Sequence, residues 1–146
     1  MEISDYTDAH LEACVSLFHE VYNELYPHYE KRFLQKERFY SIFREHVLPS
    51  NKILLLEDGG GLIGFMAIGA NFVDQLYIRS DSRGKGWGTM LLNRAKQLYP
   101  QKLELYTMEE NKKAIAFYER HGFKIIKRGI AADEQLPDVL MAWEEL

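Results

Sequence analysis

A chain of 146 residues with 47% hydrophobic, 13% aromatic and 27% charged residues has the size of one domain and the composition of a folded globular protein. Its formal charge of -4 argues against a general nucleic-acid binder, which needs a basic face, and its apolar content is too high for a disordered chain. Cys14 is the single cysteine, which excludes an internal disulfide and a cysteine-rich metal site, so no metal is expected and the cytoplasm is the expected compartment.

The first ten residues carry Glu2, Asp5, Asp8 and His10, unlike the leading segment of a signal peptide. The longest apolar stretch, residues 53–70, is interrupted by Glu57, Asp58 and three glycines, and is too broken to span a bilayer. No repeat, low-complexity tract or linker divides the chain, so residues 1–146 are expected to form one domain.

In chain order, residues 3–6 suit a short first strand. Asp8 is placed to cap a helix whose stripe is Leu11, Val15, Phe18, Tyr22 and Leu25, ended by Pro27. A second helix is expected over about 35–47, before Pro49. The period then changes. Residues 52–57 and 62–69 are apolar runs around Asp58-Gly59-Gly60-Gly61, which reads as a hairpin, and 72–78 is a third consecutive strand. Trp87, Leu91, Ala95 and Leu98 restore a helical face that runs from Gly86 to Pro100. Residues 102–106 form a strand and 111–121 a helix stopped by Gly122, followed by strands at 123–130 and 139–143. The order β-α-α-β-β-β-α-β-α-β-β implies a mixed sheet with helices on both faces, its strand-helix-strand unit parallel.

Two stretches carry chemistry. Arg83-Gly84-Lys85-Gly86-Trp87-Gly88-Thr89 lies between a strand and a helix. Glycines at alternate positions let the backbone bend and approach a ligand, the helix start offers free N–H groups, and Arg83 and Lys85 add positive charge. That combination suits a phosphate or diphosphate. The spacing is neither that of a P-loop nor Gly-x-Gly-x-x-Gly, which ranks an ATP enzyme low. In the second stretch, Asn111, Ala114, Ile115 and Tyr118 share one helix face, with Asn111 able to cap the helix or meet a ligand carbonyl.

Together these stretches resemble the GCN5-related N-acetyltransferase (GNAT) superfamily. The loop is similar to its Arg/Gln-x-x-Gly-x-Gly/Ala signature at Arg83, Gly86 and Gly88, and the helix to Asn-x-x-Ala-x-x-Phe-Tyr-x-x-x-Gly-Phe at Asn111, Ala114, Phe117, Tyr118, Gly122 and Phe123. The resemblance is strong over residues 74–123. It implies an α/β (α+β) fold: a GNAT-like, mostly antiparallel sheet of six or seven strands, with a central parallel pair and helices on both faces. It also implies acetyl-CoA as co-substrate, a small-molecule or peptide amine as acceptor, direct transfer between them, and no nucleic-acid or membrane partner; a homodimer is left open. Main-chain groups of Leu76, Tyr77 and Ile78 would take the pantetheine arm, residues 84–89 the diphosphate, Asn111 the arm again, and Tyr118 the thioester sulfur as acid. Trp87 departs from the smaller aliphatic residue usual there.

Asp74, on the parity of Leu76 and Ile78, is the candidate base, with an edge-pairing role as the alternative. Cys14 falls in the first helix stripe and reads as core rather than nucleophile. The acceptor side would draw on Glu24, Tyr26, His28, Tyr29 and Glu30, with Asp133, Glu134 and Asp138 opposite, since acids and aromatics suit a cation. The rival reading is a module that senses acyl-CoA without turning it over.

Overall fold

Apolar runs bounded by a glycine turn set the centre of the sheet. In the computed structural model, which describes residues 1–27, 35–132 and 134–145, β2 (Lys52–Asp58) and β3 (Gly61–Gly69) pair antiparallel from Lys52↔Ile68 to Asp58↔Gly61, with a bulge at Leu56/Glu57. Asp58 Oδ1 accepts the Gly60 N–H at 2.7 Å and closes the turn. The first strand, β1 (Ile3–Asp5), joins the edge of β2. With β4 (Phe72–Ile78), β5 (Lys102–Met108), β6 (Lys124–Ile130) and β7 (Pro137–Glu144), seven strands follow the order β1-β2-β3-β4-β5-β7-β6. The sheet is mostly antiparallel. Its one parallel pair, β4 and β5, meets at a single Cα pairing, Phe72↔Glu104.

The chain divides into two compact units, residues 1–69 with 74–94, and residues 70–73 with 95–146. In the first unit, α1 (Leu11–Leu25) and α2 (Lys36–Ile42) bury their apolar faces against β2 and β3. Ile53, Leu55, Phe65 and Ala67 form one face of that core and meet Cys14, Val15, Leu17, Phe18 and Val21 of α1 and Phe39 of α2. The opposite face is also dry, since Leu54, Leu56 and Met66 are buried. A strand buried on both sides reads as an unbroken apolar run, which is why these strands lack alternation. Tyr77 of β4 stacks on Phe18 and meets Phe65 edge-on, with ring centroids 5.9 and 5.6 Å apart.

The helix ends depart from the sequence expectation in three places. Asp8 does not cap α1, whose N-cap is His10; Asp8 lies inside a short 3-10 turn (Asp8–His10) capped by Thr7, the Thr7 N–H donating to His10 Nδ1 at 3.0 Å. The buried stripe of α1 centres on Cys14, Val15, Leu17, Phe18 and Val21, while Leu11, Tyr22 and Leu25 lie at its margin, because a helix lying on a flat sheet buries a broad face. The second helix reaches Val47 as expected, but only Lys36–Ile42 of it is α-helical. It continues as a π-turn (Phe43–Val47) and a 3-10 turn (Leu48–Ser50), where proline at the start of a turn gives up no hydrogen bond.

In the second unit, β7 runs between β5 and β6, paired from Lys102↔Glu144 to Met108↔Asp138 on one side and from Lys124↔Ala142 to Ile130↔Pro137 on the other. Leu103, Leu105, Val139, Met141 and Phe123 are buried, as are Ile115 and Tyr118 of α4 (Lys112–Arg120). Helix α3 (Trp87–Leu98) starts in the first unit and ends in the second, with Leu91, Leu92 and Ala95 buried. No helix among the described residues is long and apolar enough to cross a membrane.

Gly122 stops α4 as the glycine spacing predicts. Its φ is +89°, its N–H donates to the Glu119 carbonyl at 3.1 Å, and the Phe123 N–H donates to the Tyr118 carbonyl at 3.0 Å. That is a Schellman motif, completed by the Tyr118–Phe123 ring contact at 5.5 Å. A Cβ on residue 122 would also lie 3.1 Å from the Trp143 ring. Gly122→Ala should therefore destabilise the protein by about 1–2 kcal/mol, the cost of a left-handed L-residue, read as a lower urea midpoint with an unchanged slope.

Candidate active site

The loop after β4 is built from the first unit alone. Arg79 anchors its entry: Nε donates to Asp81 Oδ1 at 2.6 Å, Nη1 to the Leu62 carbonyl at 3.1 Å and Nη2 to Ser82 Oγ at 3.4 Å. The Arg79 hydrogen bond holds the Asp81 carboxyl below its ordinary range. The chain then leaves the protein surface. Residues 83–86 are exposed, and Gly84 and Gly86 take φ of +76° and +89° with nothing within 4 Å of an added Cβ. The first helical hydrogen bond of α3 runs from the Met90 N–H to the Gly86 carbonyl at 3.0 Å. The N–H groups of Trp87 and Gly88, ahead of that bond, have no i−4 acceptor within the helix, and the helix dipole places partial positive charge there. Gly88 lies within the first turn of α3 rather than in the bend, and Trp87 is half-buried, at the helix start rather than in the core.

Strand β4 presents two faces. Val73 and Gln75 are buried on the face of Tyr77, whereas Asp74, Leu76 and Ile78 alternate with them, as the expected parity requires. Tyr77 contributes only main-chain groups to any ligand, because its ring is packed among Phe18 and Phe65. The Ile78 carbonyl is already engaged, accepting from Arg83 Nε at 3.0 Å. Asp74 accepts a hydrogen bond from Asn51 Nδ2 at 3.1 Å. Desolvation raises its pKa and the Asn51 bond opposes the rise. Asp74 is nonetheless open to solvent by surface area, so water screens the effect and the shift is a modest one. Asn51 escaped notice in the sequence, since contact across 23 positions leaves no local pattern. So did Gln75, whose Oε1 is buried without a hydrogen-bond partner.

In the second unit Asn111 is the N-cap of α4, and its Oδ1 accepts the Ala114 N–H at 3.3 Å. Of the two uses open to it, the structure displays the capping one. Tyr118 is 9% exposed, with Phe117 and Phe123 about its ring at 5.2 and 5.5 Å. Burial pushes its phenol well above the usual tyrosine range, so it stays protonated at any ordinary working pH. Cys14 is fully buried with its thiol pushed up to about 12, chiefly by desolvation, which fits core and not a nucleophile.

The acceptor-side residues are less uniform. Tyr26 is buried, not a rim residue, and Glu24 is ion-paired with Arg83. Glu134 and Asp138 are half-buried beside β7, and His28, Tyr29, Glu30 and Asp133 lie outside the described residues. Among the described residues no three His, Cys, Asp or Glu side chains are grouped as a metal site.

Residues 16–123 match the Acetyltransferase (GNAT) family, and the chain belongs to that family. It is 37% identical over 79 residues to the peptidyl-lysine N-acetyltransferase YjaB of Salmonella typhimurium, a match covering 54% of each chain, so it spans about half the length of that relative. It is 29% identical over 103 residues to the peptidyl-lysine N-acetyltransferase YiaC of Escherichia coli, covering 70% of both. The fold is shared with the solution structure of apo YjaB from Escherichia coli, at a TM-score of 0.79, 23% identity and 98% coverage of both chains. It is shared too with the PaiA N-acetyltransferase of Thermoplasma acidophilum in complex with coenzyme A, at a TM-score of 0.74 and 22% identity, covering 99% of this chain and 98% of the other.

Because the folded-state pKa of Asp74 is raised, the sign of its pH effect is fixed. Its protonated form is favoured by folding, so the benefit is full below the unfolded carboxyl pKa and is lost as pH rises through the higher folded value. Asp74→Asn should therefore raise the melting temperature at pH 7 and leave it nearly unchanged at pH 3, as scanning calorimetry at the two pH values would record.

Proposed function

We propose that the chain is an N-acetyltransferase that moves the acetyl group of acetyl-CoA to a primary amine by direct attack. The observation that carries the reading is the exposed loop in which Gly84 and Gly86 turn with positive φ into the start of α3, whose dipole is positive there. A diphosphate has the charge and the acceptor oxygens that suit a helix start. Membership of the GNAT family and a structural relative in complex with coenzyme A support the same donor. Relatives that are peptidyl-lysine N-acetyltransferases make a protein lysine the acceptor of first choice, ahead of a polyamine such as the substrate of the structurally similar spermidine N-acetyltransferase.

A lysine amine with a pKa near ~10.4 is about 0.04% neutral at pH 7, and losing its proton costs about 4.6 kcal/mol. Asp74, whose carboxyl desolvation raises above its ordinary value, takes that proton directly or through water. Main-chain groups of Leu76, Tyr77 and Ile78 align the donor's pantetheine arm and Asn111 steadies it. Arg83 and Lys85 supply charge beside the amides of Gly84, Gly86, Trp87, Gly88 and Thr89 at the diphosphate. The leaving thiolate takes its proton from Tyr118. Burial makes the phenol a weaker acid, so it acts as a hydrogen-bond donor to the sulfur, its proton passing as the carbon–sulfur bond breaks.

The reading predicts that Tyr118→Phe lowers kcat by about a hundredfold or more, the scale of general-acid assistance, while the Kd for acetyl-CoA changes less than about threefold. Thiol release from acetyl-CoA with a panel of lysine peptides and polyamines measures the first, and titration calorimetry the second. Binding of acetyl-CoA with no thiol release for any amine would leave only an acyl-CoA sensor.

A further inference from the structure

By resemblance and charge, Glu24 and Arg83 belong at opposite ends of the reaction, one meeting the amine and the other the diphosphate. The structure joins them. Glu24, in the last turn of α1, accepts from Arg83 Nη1 through Oε1, while Nε of the same guanidinium donates to the Ile78 carbonyl at 3.0 Å. A planar fork held at both sides cannot turn without giving up one partner.

The glycine bend immediately C-terminal to Arg83 gives that restraint its importance. Gly84 and Gly86 take left-handed φ in open space, with no atom within 4 Å of where a side chain would start, so local packing does not order the bend. The hydrogen bonds of Arg79 reach forward only to Ser82. Helical bonding begins again with the Met90 N–H. Between these two anchors the Arg83 side chain links the bend to β4 and to α1.

We propose that Glu24 is a positioning residue for the donor: through Arg83 it holds the amides of residues 84–89 in the arrangement that receives the diphosphate, and it does not bind the amine. This rests on reading the loop as the diphosphate cradle. Ordering the loop beforehand lowers the entropy lost when the donor binds. Charge alone predicts the reverse sign, since an anion beside Arg83 repels an arriving diphosphate and its removal would tighten binding. Both side chains are 43% exposed, and pairs so exposed contribute modestly, so the effect is about three- to fivefold rather than several orders of magnitude.

The test is titration calorimetry with coenzyme A on the wild type, Glu24→Ala, Arg83→Met and the double variant, with amine KM measured at saturating acetyl-CoA. Glu24→Ala should weaken coenzyme A about three- to fivefold, add nothing once Arg83 is Met, and move the amine KM less than about twofold. A Glu24→Ala variant that binds coenzyme A as tightly as the wild type or more tightly overturns the proposal. So does a loss that adds in full to that of Arg83→Met, or an amine KM that rises while coenzyme A binding holds. A wild type that does not bind coenzyme A at all refutes the cradle itself, and the positioning role with it.

Discussion

A helix cannot satisfy its own first N–H groups, and the functional reading of this chain depends on that constraint. At the start of α3 the groups on Trp87 and Gly88 are aimed out of the helix, and residues 83–86 bring an exposed backbone ahead of them. Side chains would obstruct a ligand that must approach the main chain, so glycine occupies the positions where the bend turns through positive φ. Helix-start amides, partial positive charge and basic side chains, of which Arg83 is already paired with Glu24, favour the same ligand chemistry, a diphosphate. Their agreement carries more weight than any one of them.

Two arginines ahead of the glycine bend commit their guanidinium groups to protein oxygens: Arg79 to Leu62, Asp81 and Ser82, and Arg83 to Ile78 and Glu24. On the proposed reading, side chains fixed just before the bend reconcile two demands that conflict in a glycine-rich segment, freedom of dihedral angle and a small loss of entropy on binding. In the second unit a comparable arrangement serves Tyr118. The Schellman motif at Gly122 uses the Tyr118 carbonyl, and the Phe123 ring packs against its phenol, so the helix stop and the orientation of the candidate acid are one structural feature.

Burial of Tyr118 and the raised carboxyl of Asp74 act unequally on the two candidate proton carriers. The phenol stays protonated but becomes a weaker acid, whereas a raised carboxylate is a better base than an ordinary aspartate. The causes are similar in kind, since desolvation penalises the anion of each. They differ in degree because Tyr118 is enclosed and Asp74 is open to water.

Local features of the chain were legible without coordinates wherever chemistry depends on neighbours in sequence. The order of strands and helices, the glycine bend, the cap at Asn111 and the stop at Gly122 all arise from backbone rules acting over a few residues. The tertiary structure alone decided which distant groups meet. Asn51 reaches Asp74, Glu24 reaches Arg83 and Tyr26 turns inward, because side-chain pairing depends on how elements pack rather than on spacing along the chain. The same holds for Thr7 replacing Asp8 as the cap of the turn ahead of α1, and for the π-turn at Phe43–Val47, which no local pattern announces. Sequence thus determined the backbone and charges that the loop carries, while packing determined which of those charges are paired with the protein's own groups.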